Sequence, residues 1–314
     1  MNGWYGGILK VATLVTVVFA LGACDSGNIG GASDAKATRT AAPVSPEVYR
    51  ETLAAVTAPL NKALTEFGGA RSINELSARI SRLEGAAGQG AVRLGQQSPP
   101  PAMAAEHAKL VGALRQFDEE LKALGEDVDG REICTASSAR ARLGQSEATS
   151  ALRAAAAALT AKVPDDKLLA LALPGAAKLT TQRPPNGHFV RSGRRGGRGT
   201  LTIDNGGDSD AVITLTKGSR PIASVYVRKD KKYTVSGIGD GSYKVYFTSG
   251  VDWDRKARRF ARKCAFQQFD EKMAFRTTRT ATEIRWSTWE ISLQPVSGGT
   301  ARTSDVEPGN YPGM

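Results

Sequence analysis

The chain has 314 residues, of which 41% are hydrophobic and 23% are charged. This composition excludes a wholly disordered chain and suits a globular protein with two domains of ordinary size. The formal net charge of +11 is uneven, since residues 191–314 hold 22 Lys and Arg against 13 Asp and Glu, whereas residues 1–190 hold 20 against 18. The basic second half predicts salt-dependent attraction to anionic partners, and charge that serves only solubility remains the alternative.

The first segment resembles a bacterial lipoprotein signal. Lys10 precedes an apolar run that ends in Leu21-Gly22-Ala23-Cys24, which is similar to the lipobox of lipid-modified proteins. Val11 to Ala23 supplies 13 apolar or small residues, and a membrane-spanning helix needs about 20. The resemblance implies a signal peptide over residues 1–23, acyl chains on Cys24, and an extracytoplasmic protein anchored to the cell membrane. Ordinary cleavage that leaves Cys24 as a free thiol is the alternative.

After a flexible tether over residues 24–44, residues 45–175 carry helical periods that predict an antiparallel helical bundle. The first helix begins at Ser45-Pro46 and contains Pro59, which is expected to kink or break it. The second begins at Ser72, and glycines near its end are expected to weaken it. The remaining predicted helices are a third after Pro99-Pro100-Pro101, a fourth from near Asp129 to Pro164 with Glu147 as a polar interruption, and a short apolar one from Leu168 to Leu173.

Residues 176–199 are rich in Pro, Gly and Arg and predict a linker, after which the apolar period changes to two. Short strands separated by Gly/Asp turns predict a β-sandwich over residues 200–296, followed by a disordered tail over 297–314. The predicted fold class is therefore multidomain, α then β, with the two parts folded separately. The pattern Ile238-x-Asp240-Gly241-x-Tyr243-x-Val245-x-Phe247 resembles the hairpin of prealbumin-like and PEGA-like bacterial surface modules. That resemblance implies a β-sandwich accessory module and no catalytic residues.

Two cysteines remain if Cys24 is acylated, and they lie in different halves of the chain. Thiols outside the cytoplasm tend to be oxidised, so Cys134 and Cys264 are candidates for a disulfide that joins the halves. Two separate buried thiols are the alternative, because the sequence does not show that the two positions meet.

Catalytic and metal-binding motifs are not found in the sequence. There is no His-Glu-x-x-His, G-x-S-x-G, Walker loop or Cys-x-x-Cys, and the two histidines are His107 on an apolar helical stripe and His188 in the linker. We therefore predict no catalytic residues, no metal and no cofactor, with a hydrolase using scattered carboxylates as a minor alternative. Loop carboxylates are better explained by turn chemistry than by calcium; they are Asp204, Asp208, Asp210, Asp252 and Asp254.

The densest basic run places six cations within residues 255–263. It predicts either an anion-binding site or a solvated loop or edge strand protected by charge. The candidate anion-binding residues are Arg255, Lys256, Arg258, Arg259, Arg262 and Lys263.

Three tryptophans of the second half, Trp253, Trp286 and Trp289, are predicted to pack in the sandwich core, with a carbohydrate-stacking platform as the alternative.

The predicted function is a non-catalytic surface protein with a binding or envelope-organising role. The alternative is a polyanion- or glycan-binding lipoprotein that uses the basic run. Its expected partners are the membrane, through acyl chains on Cys24, and an anionic wall polymer or lipid headgroups. Nucleic acid is not expected, and the sequence names no protein partner.

Overall fold

The computed structural model describes residues 42–162, 169–177, 182–193, 195–294 and 301–312. Within these residues five helices precede a region of β-strands, so the predicted order of α then β is confirmed. The predicted signal peptide, the lipid-attachment residue Cys24 and most of the predicted tether lie outside the described residues.

Polar caps fix where the helices begin. Side-chain oxygens of Ser45, Ser72, Thr135 and Ser146 each accept a hydrogen bond from a backbone N–H of the first turn that follows. The described helices are α1 (Pro46–Phe67), α2 (Ile73–Gly95), α3 (Ala104–Asp129), α4 (Ala136–Gln145) and α5 (Glu147–Thr160). Helix α2 packs against both α1 and α3, and α5 packs against α3.

The helical half differs from its prediction in four places. The predicted fourth helix is two helices, because Ser146 adopts an extended conformation that ends α4 and caps α5. Helix α1 continues through Pro59, and α2 continues through its glycines to Gly95. The described part of the short helix predicted at Leu168–Leu173 contains no helical residues.

The β region contains twelve described strands that form two main sheets and a hairpin. The larger sheet has the order β1-β4-β3-β6-β7-β12, with β8 paired to β6, and the smaller sheet has the order β11-β2-β5. Strands β9 and β10 form the separate hairpin. Strand bounds are β1 Phe189–Ser192, β2 Gly199–Asn205, β3 Asp210–Lys217, β4 Arg220–Val227, β5 Lys231–Ile238, β6 Gly241–Asp254, β7 Arg259–Phe269, β8 Met273–Phe275, β9 Thr277–Arg279, β10 Ile284–Trp286, β11 Thr288–Ser292 and β12 Thr303–Asp305.

The larger sheet is covered on both faces. On one face Ile213 and Leu215 of β3 pack with Ile203 and Ile291 of the smaller sheet. On the other face Val212 belongs to the same hydrophobic cluster as the buried side chains of the helices. This double burial explains why seven of the eight residues of β3 are buried.

The boundaries predicted from composition need correction. Strand β1 lies inside the predicted linker and pairs with β4. Residues 301–312 lie inside the predicted disordered tail, yet β12 pairs with β7 and Tyr311 is buried against the larger sheet, where its hydroxyl bonds Val212 O and Thr214 Oγ1 at 3.3 Å. Residues 41–314 form one compact unit, so the predicted linker does not separate two units.

Candidate functional site

A cleft of about 1080 Å³ opens where the helices meet the turn between β6 and β7. Four segments line it: the turn between α1 and α2, the first turns of α4, an extended segment after α5, and the β6–β7 turn. Its lining residues are 68–71, 135–137, 140–141, 174–177, 254 and 256–259. The basic run singled out in the sequence thus forms one wall of a cleft whose other walls come from the helical half.

Asp254 builds the β6–β7 turn and ties it to the helices. Its Oδ1 accepts hydrogen bonds from the backbone N–H groups of Lys256 and Ala257, each at 2.9 Å. Its Oδ2 accepts a hydrogen bond from Ser137 Oγ at 2.6 Å, in the first turn of α4. A carboxylate at a helix N-terminus also interacts favourably with the helix dipole. This acid is therefore engaged in structure on both of its oxygens.

The charge of the cleft is strongly positive. Five cations line it against the single carboxylate of Asp254, and they are Arg71, Arg140, Lys256, Arg258 and Arg259. Within the described parts of the chain, no side-chain nitrogen of these five has a carboxylate oxygen within 4.0 Å, although the Glu75 carboxylate accepts a hydrogen bond from the backbone N–H of Arg71 at 2.7 Å. Other arginines in the same residues do form ion pairs, including Arg142 with Glu120 and Arg183 with Asp210. The cleft thus gathers cations that lack such partners.

Arg259 is the most unusual of these cations because it is only 5% exposed. Its Nη2 donates to the carbonyl oxygen of Arg71 at 2.7 Å, and its Nε donates to that of Ala257 at 3.3 Å. Burial lowers the pKa of its guanidinium, and the charge of Asp254 opposes that change. Carbonyl oxygens satisfy the donors of Arg259 but do not neutralise its charge, and the longer-range attraction of Asp254 does not outweigh its burial, so the buried guanidinium favours an anion bound nearby.

The predicted basic residues divide into two groups in the structure. Arg255, Lys256, Arg258 and Lys263 are exposed. Arg259 is buried, and Arg262 donates from Nη2 to the buried carboxylate of Asp252 at 2.5 Å. Of the six candidate anion-binding residues, four are therefore exposed cations, whereas Arg259 and Arg262 are held by contacts within the fold. Both lie on strand β7, whose side chains alternate between the two faces of a covered sheet.

Arg71 and Arg140 are cleft residues that the sequence does not predict. Arg71 is 188 residues from Arg259 in the sequence, yet its carbonyl oxygen receives the Arg259 guanidinium. The side chain of Arg140 lies over Gly68, where an added Cβ would stand 2.6 Å from Nη1. No local signal marks either residue, because only the packing of the helices on the β region brings them to the cleft.

The two candidate cysteines are joined in the structure. Cys134, just before α4, forms a disulfide with Cys264 of β7. Backbone hydrogen bonds flank this link, since Cys134 N donates to Ala261 O at 2.8 Å and Cys264 N donates to Arg131 O at 3.1 Å. The helical half is therefore attached to the larger sheet beside the cleft by covalent and hydrogen bonds.

The other polar candidates have structural partners. The Tyr49 hydroxyl and His107 Nδ1 are 2.8 Å apart within the helical core, and burial lowers the pKa of His107 despite a backbone hydrogen bond with Leu94. Asp210 is paired with Arg183, and Asp204 with Lys232. Across the described ranges, no group of three or more His, Cys, Asp or Glu side chains is placed to hold a metal ion.

The three tryptophans do not share one environment. Trp253 is 3% exposed and packs edge-on against Tyr226 and Phe260. Trp286 and Trp289 are 45% and 40% exposed. Core packing was thus the correct prediction for Trp253 and the wrong one for the other two. Trp286 lies on the β9–β10 hairpin, and Trp289 lies on β11, an edge strand of the smaller sheet.

Comparison of the chain with protein-family models, with curated proteins and with solved structures found no match. Among the described helices, none combines the length and apolar character needed to cross a membrane. The function must therefore be argued from the cleft itself.

Proposed function

We propose that this protein is a non-catalytic, lipid-anchored surface protein that binds an anionic envelope polymer in the basic cleft. The observation that carries the proposal is the convergence of Arg71, Arg140, Lys256, Arg258 and Arg259 around one cleft with a single, already engaged carboxylate. A polymer of phosphodiesters is the chemistry that suits such a site, because guanidinium groups bind phosphate oxygens in bidentate fashion.

The location in this proposal comes from the lipobox resemblance at Leu21-Gly22-Ala23-Cys24. Two acyl chains on Cys24 would give stable anchoring, whereas one chain gives only marginal binding. An anchored protein meets the anionic polymers of the envelope at high local concentration, so modest affinity at the cleft suffices. The resemblance of the β region to prealbumin-like and PEGA-like modules fits an accessory binding role.

The test uses soluble glycerol-phosphate teichoic acid as the probe and the double variant Lys256→Gln/Arg258→Gln. Both side chains are exposed, so the fold should survive their replacement. Arg259 is left unchanged because it is buried. A cation near an anionic surface contributes about 1 kcal/mol, so the loss of two should weaken binding by roughly thirtyfold at low salt. Calorimetry or fluorescence anisotropy across a salt series measures the effect.

A matched control removes the same charge elsewhere. Lys109→Gln/Lys122→Gln changes two exposed lysines of α3 that do not line the cleft. This control should bind the polymer nearly as well as the unchanged protein. Equal weakening in both variants would show that overall charge, and not the cleft, attracts the polymer. Undiminished binding in the Lys256→Gln/Arg258→Gln variant would remove the basis of the proposal.

A further inference from the structure

The β9–β10 hairpin and the adjoining strand β11 carry three exposed apolar side chains close together in the sequence. Only five large hydrophobic side chains are exposed within the described residues, and three of them fall between residues 284 and 289. Ile284, Trp286 and Trp289 are 38%, 45% and 40% exposed. The other two, Val48 and Val92, stand on separate helices. Clustering of this kind marks an interaction surface more strongly than scattered exposure does.

The strand register places apolar and basic side chains on one face of the hairpin. Ile284 pairs with Arg279 and Trp286 pairs with Thr277, and directly opposed residues of antiparallel strands point to the same side. The guanidinium of Arg198 lies 5.8 Å from the ring centroid of Trp286. The face formed by Ile284, Trp286, Arg279 and Arg198, here termed the hairpin face, therefore combines an apolar centre with cations around it.

The charges around the hairpin face favour an anionic surface. Four arginines lie on or beside it, and the nearby carboxylates are Asp240, Glu283 and Glu290. Asp240 accepts hydrogen bonds from the backbone N–H and Oγ1 of Thr277 at 3.0 and 2.8 Å. Glu283 is paired with Arg285 at 2.8 Å, and Glu290 with Lys232 at 3.3 Å. The carboxylates are thus engaged, and the remaining arginines are Arg198, Arg276 and Arg279.

We propose that the hairpin face binds the headgroup region of an anionic lipid bilayer. Tryptophan is suited to that region because its ring is apolar and its indole N–H is polar, and arginine is attracted to acidic headgroups. Ile284 enters the boundary between headgroups and acyl chains. None of these residues lines the basic cleft, so this contact is independent of the proposed polymer binding.

Three features favour lipid over a stacked sugar. Arg198 lies over the ring of Trp286, which leaves that indole one free face. Trp289 donates its Nε1–H to the carbonyl oxygen of Ala274 at 3.0 Å, so this polar group is already used. Ile284 offers no aromatic face for a sugar, whereas a branched aliphatic side chain gains from contact with acyl chains.

The experiment uses the chain from Cys24 to Met314 with Cys24→Ser, which carries no acyl group and retains the whole compact unit of residues 41–314. Cosedimentation is measured with vesicles of phosphatidylcholine mixed with phosphatidylglycerol, and with vesicles of phosphatidylcholine alone. Binding is expected to the mixed vesicles and to be much weaker to the neutral ones. Ile284→Ser/Trp286→Ser should weaken binding to the mixed vesicles by roughly tenfold or more.

The control variant Val48→Ser/Val92→Ser removes two apolar side chains of the helices that are even more exposed, and it should bind the vesicles as before. Circular dichroism checks that both variants are folded. Absence of vesicle binding, or equal loss in both variants, would overturn the inference. If the Ile284→Ser/Trp286→Ser variant keeps its vesicle binding but no longer binds insoluble cell-wall glycan, the hairpin face binds sugar and not lipid. Teichoic acid binding should be unchanged in the hairpin variant, which keeps this test separate from that of the cleft.

Discussion

Asp210 shows how a single residue organises the edge of the β region. Arg183 donates to its two oxygens at 2.6 and 2.7 Å, Tyr226 Oη donates to Oδ2 at 2.5 Å, and the backbone N–H of Lys229 donates to Oδ1 at 2.7 Å. Burial raises the pKa of Asp210, but these hydrogen bonds outweigh burial and the pKa is lowered from its ordinary value. Arg183 belongs to the segment predicted as a linker, so this network holds that segment against the sheet.

Asp210→Asn should make the protein less stable near neutral pH by about 2 kcal/mol, since the bidentate ion pair is lost from a mostly buried site. A carboxylate whose pKa is lowered by folding stabilises the native state at pH values above its ordinary pKa of 3.8. That contribution is lost as the pH falls through the lower folded value, so the difference between the two proteins should shrink below about pH 4. Urea unfolding over a pH series measures it.

The control for this prediction is Asp208→Asn, whose side chain is fully exposed. Its stability should follow that of the unchanged protein at every pH. A difference between Asp210→Asn and the unchanged protein that stays constant into acid would show that the charge of Asp210 is not what stabilises the network.

At the scale of elements, the extended segment over residues 169–177 holds helices together although it has no regular structure. Asn61 of α1 donates to Ala170 O at 2.9 Å and accepts from Ala172 N at 2.8 Å. Arg153 of α5 donates to Pro174 O at 2.8 Å, and Gln145 of α4 donates to Ala177 O at 2.7 Å. The segment crosses α4 at Gly144, where an added Cβ would lie 2.1 Å from Gly175 O.

Gly144→Ala should therefore destabilise the protein by about 1–3 kcal/mol, because backbone must move to admit the methyl group. The higher helix propensity of alanine offsets only part of this cost. Gly112→Ala in α3 is the matched control, since nothing lies within 4 Å of its added Cβ, and it should stabilise by about 0.5–1 kcal/mol. Thermal or urea unfolding compares the two variants. Stabilisation by Gly144→Ala would show that the segment does not pack closely on α4.

At the scale of the whole molecule, the helices and the larger sheet share one hydrophobic cluster. It joins helical residues such as Phe117 to Tyr226, Phe260 and Tyr311 of the β region and C-terminus. The Cys134–Cys264 disulfide crosses the same contact with a sequence separation of 130 residues. A shared core of this kind predicts one cooperative unfolding transition, in contrast to the separate folding expected from the composition of residues 176–199.

Removal of the disulfide in Cys134→Ser/Cys264→Ser should lower the free energy of unfolding in urea by about 5 kcal/mol at most, on the chain-entropy model. An unchanged stability of this double variant would show that the link adds nothing to the packed contact.

In the unchanged protein, helical circular dichroism and tryptophan fluorescence should report the same midpoint in urea, because both halves share one core. The two signals report on different halves, since the described tryptophans all lie in the β region. Two well-separated midpoints would show that the halves unfold independently.

The sequence by itself determined the local features of this protein. The caps at Ser45 and Ser72, the apolar stripes of α1 to α3 and the alternation along β3 to β6 were all predictable, because helix and strand periods are properties of neighbouring residues. The break at Ser146 was missed because an alanine-rich stretch is compatible with one long helix. The basic run was expected to be a solvated loop or an edge strand, whereas its second part begins β7, which lies between β6 and β12 in the larger sheet.

Only the tertiary structure decided which residues meet. Cys134 and Cys264, and likewise Arg71 and Arg259, are more than a hundred residues apart in the sequence. Their contact follows from packing helices on the second face of the larger sheet, and no local pattern encodes that choice of face. The same packing buries Arg259 while it leaves Lys256 and Arg258 exposed, so a run of similar cations becomes one wall of a cleft. Charge pattern identified the basic segment, and burial determined what each of its cations does.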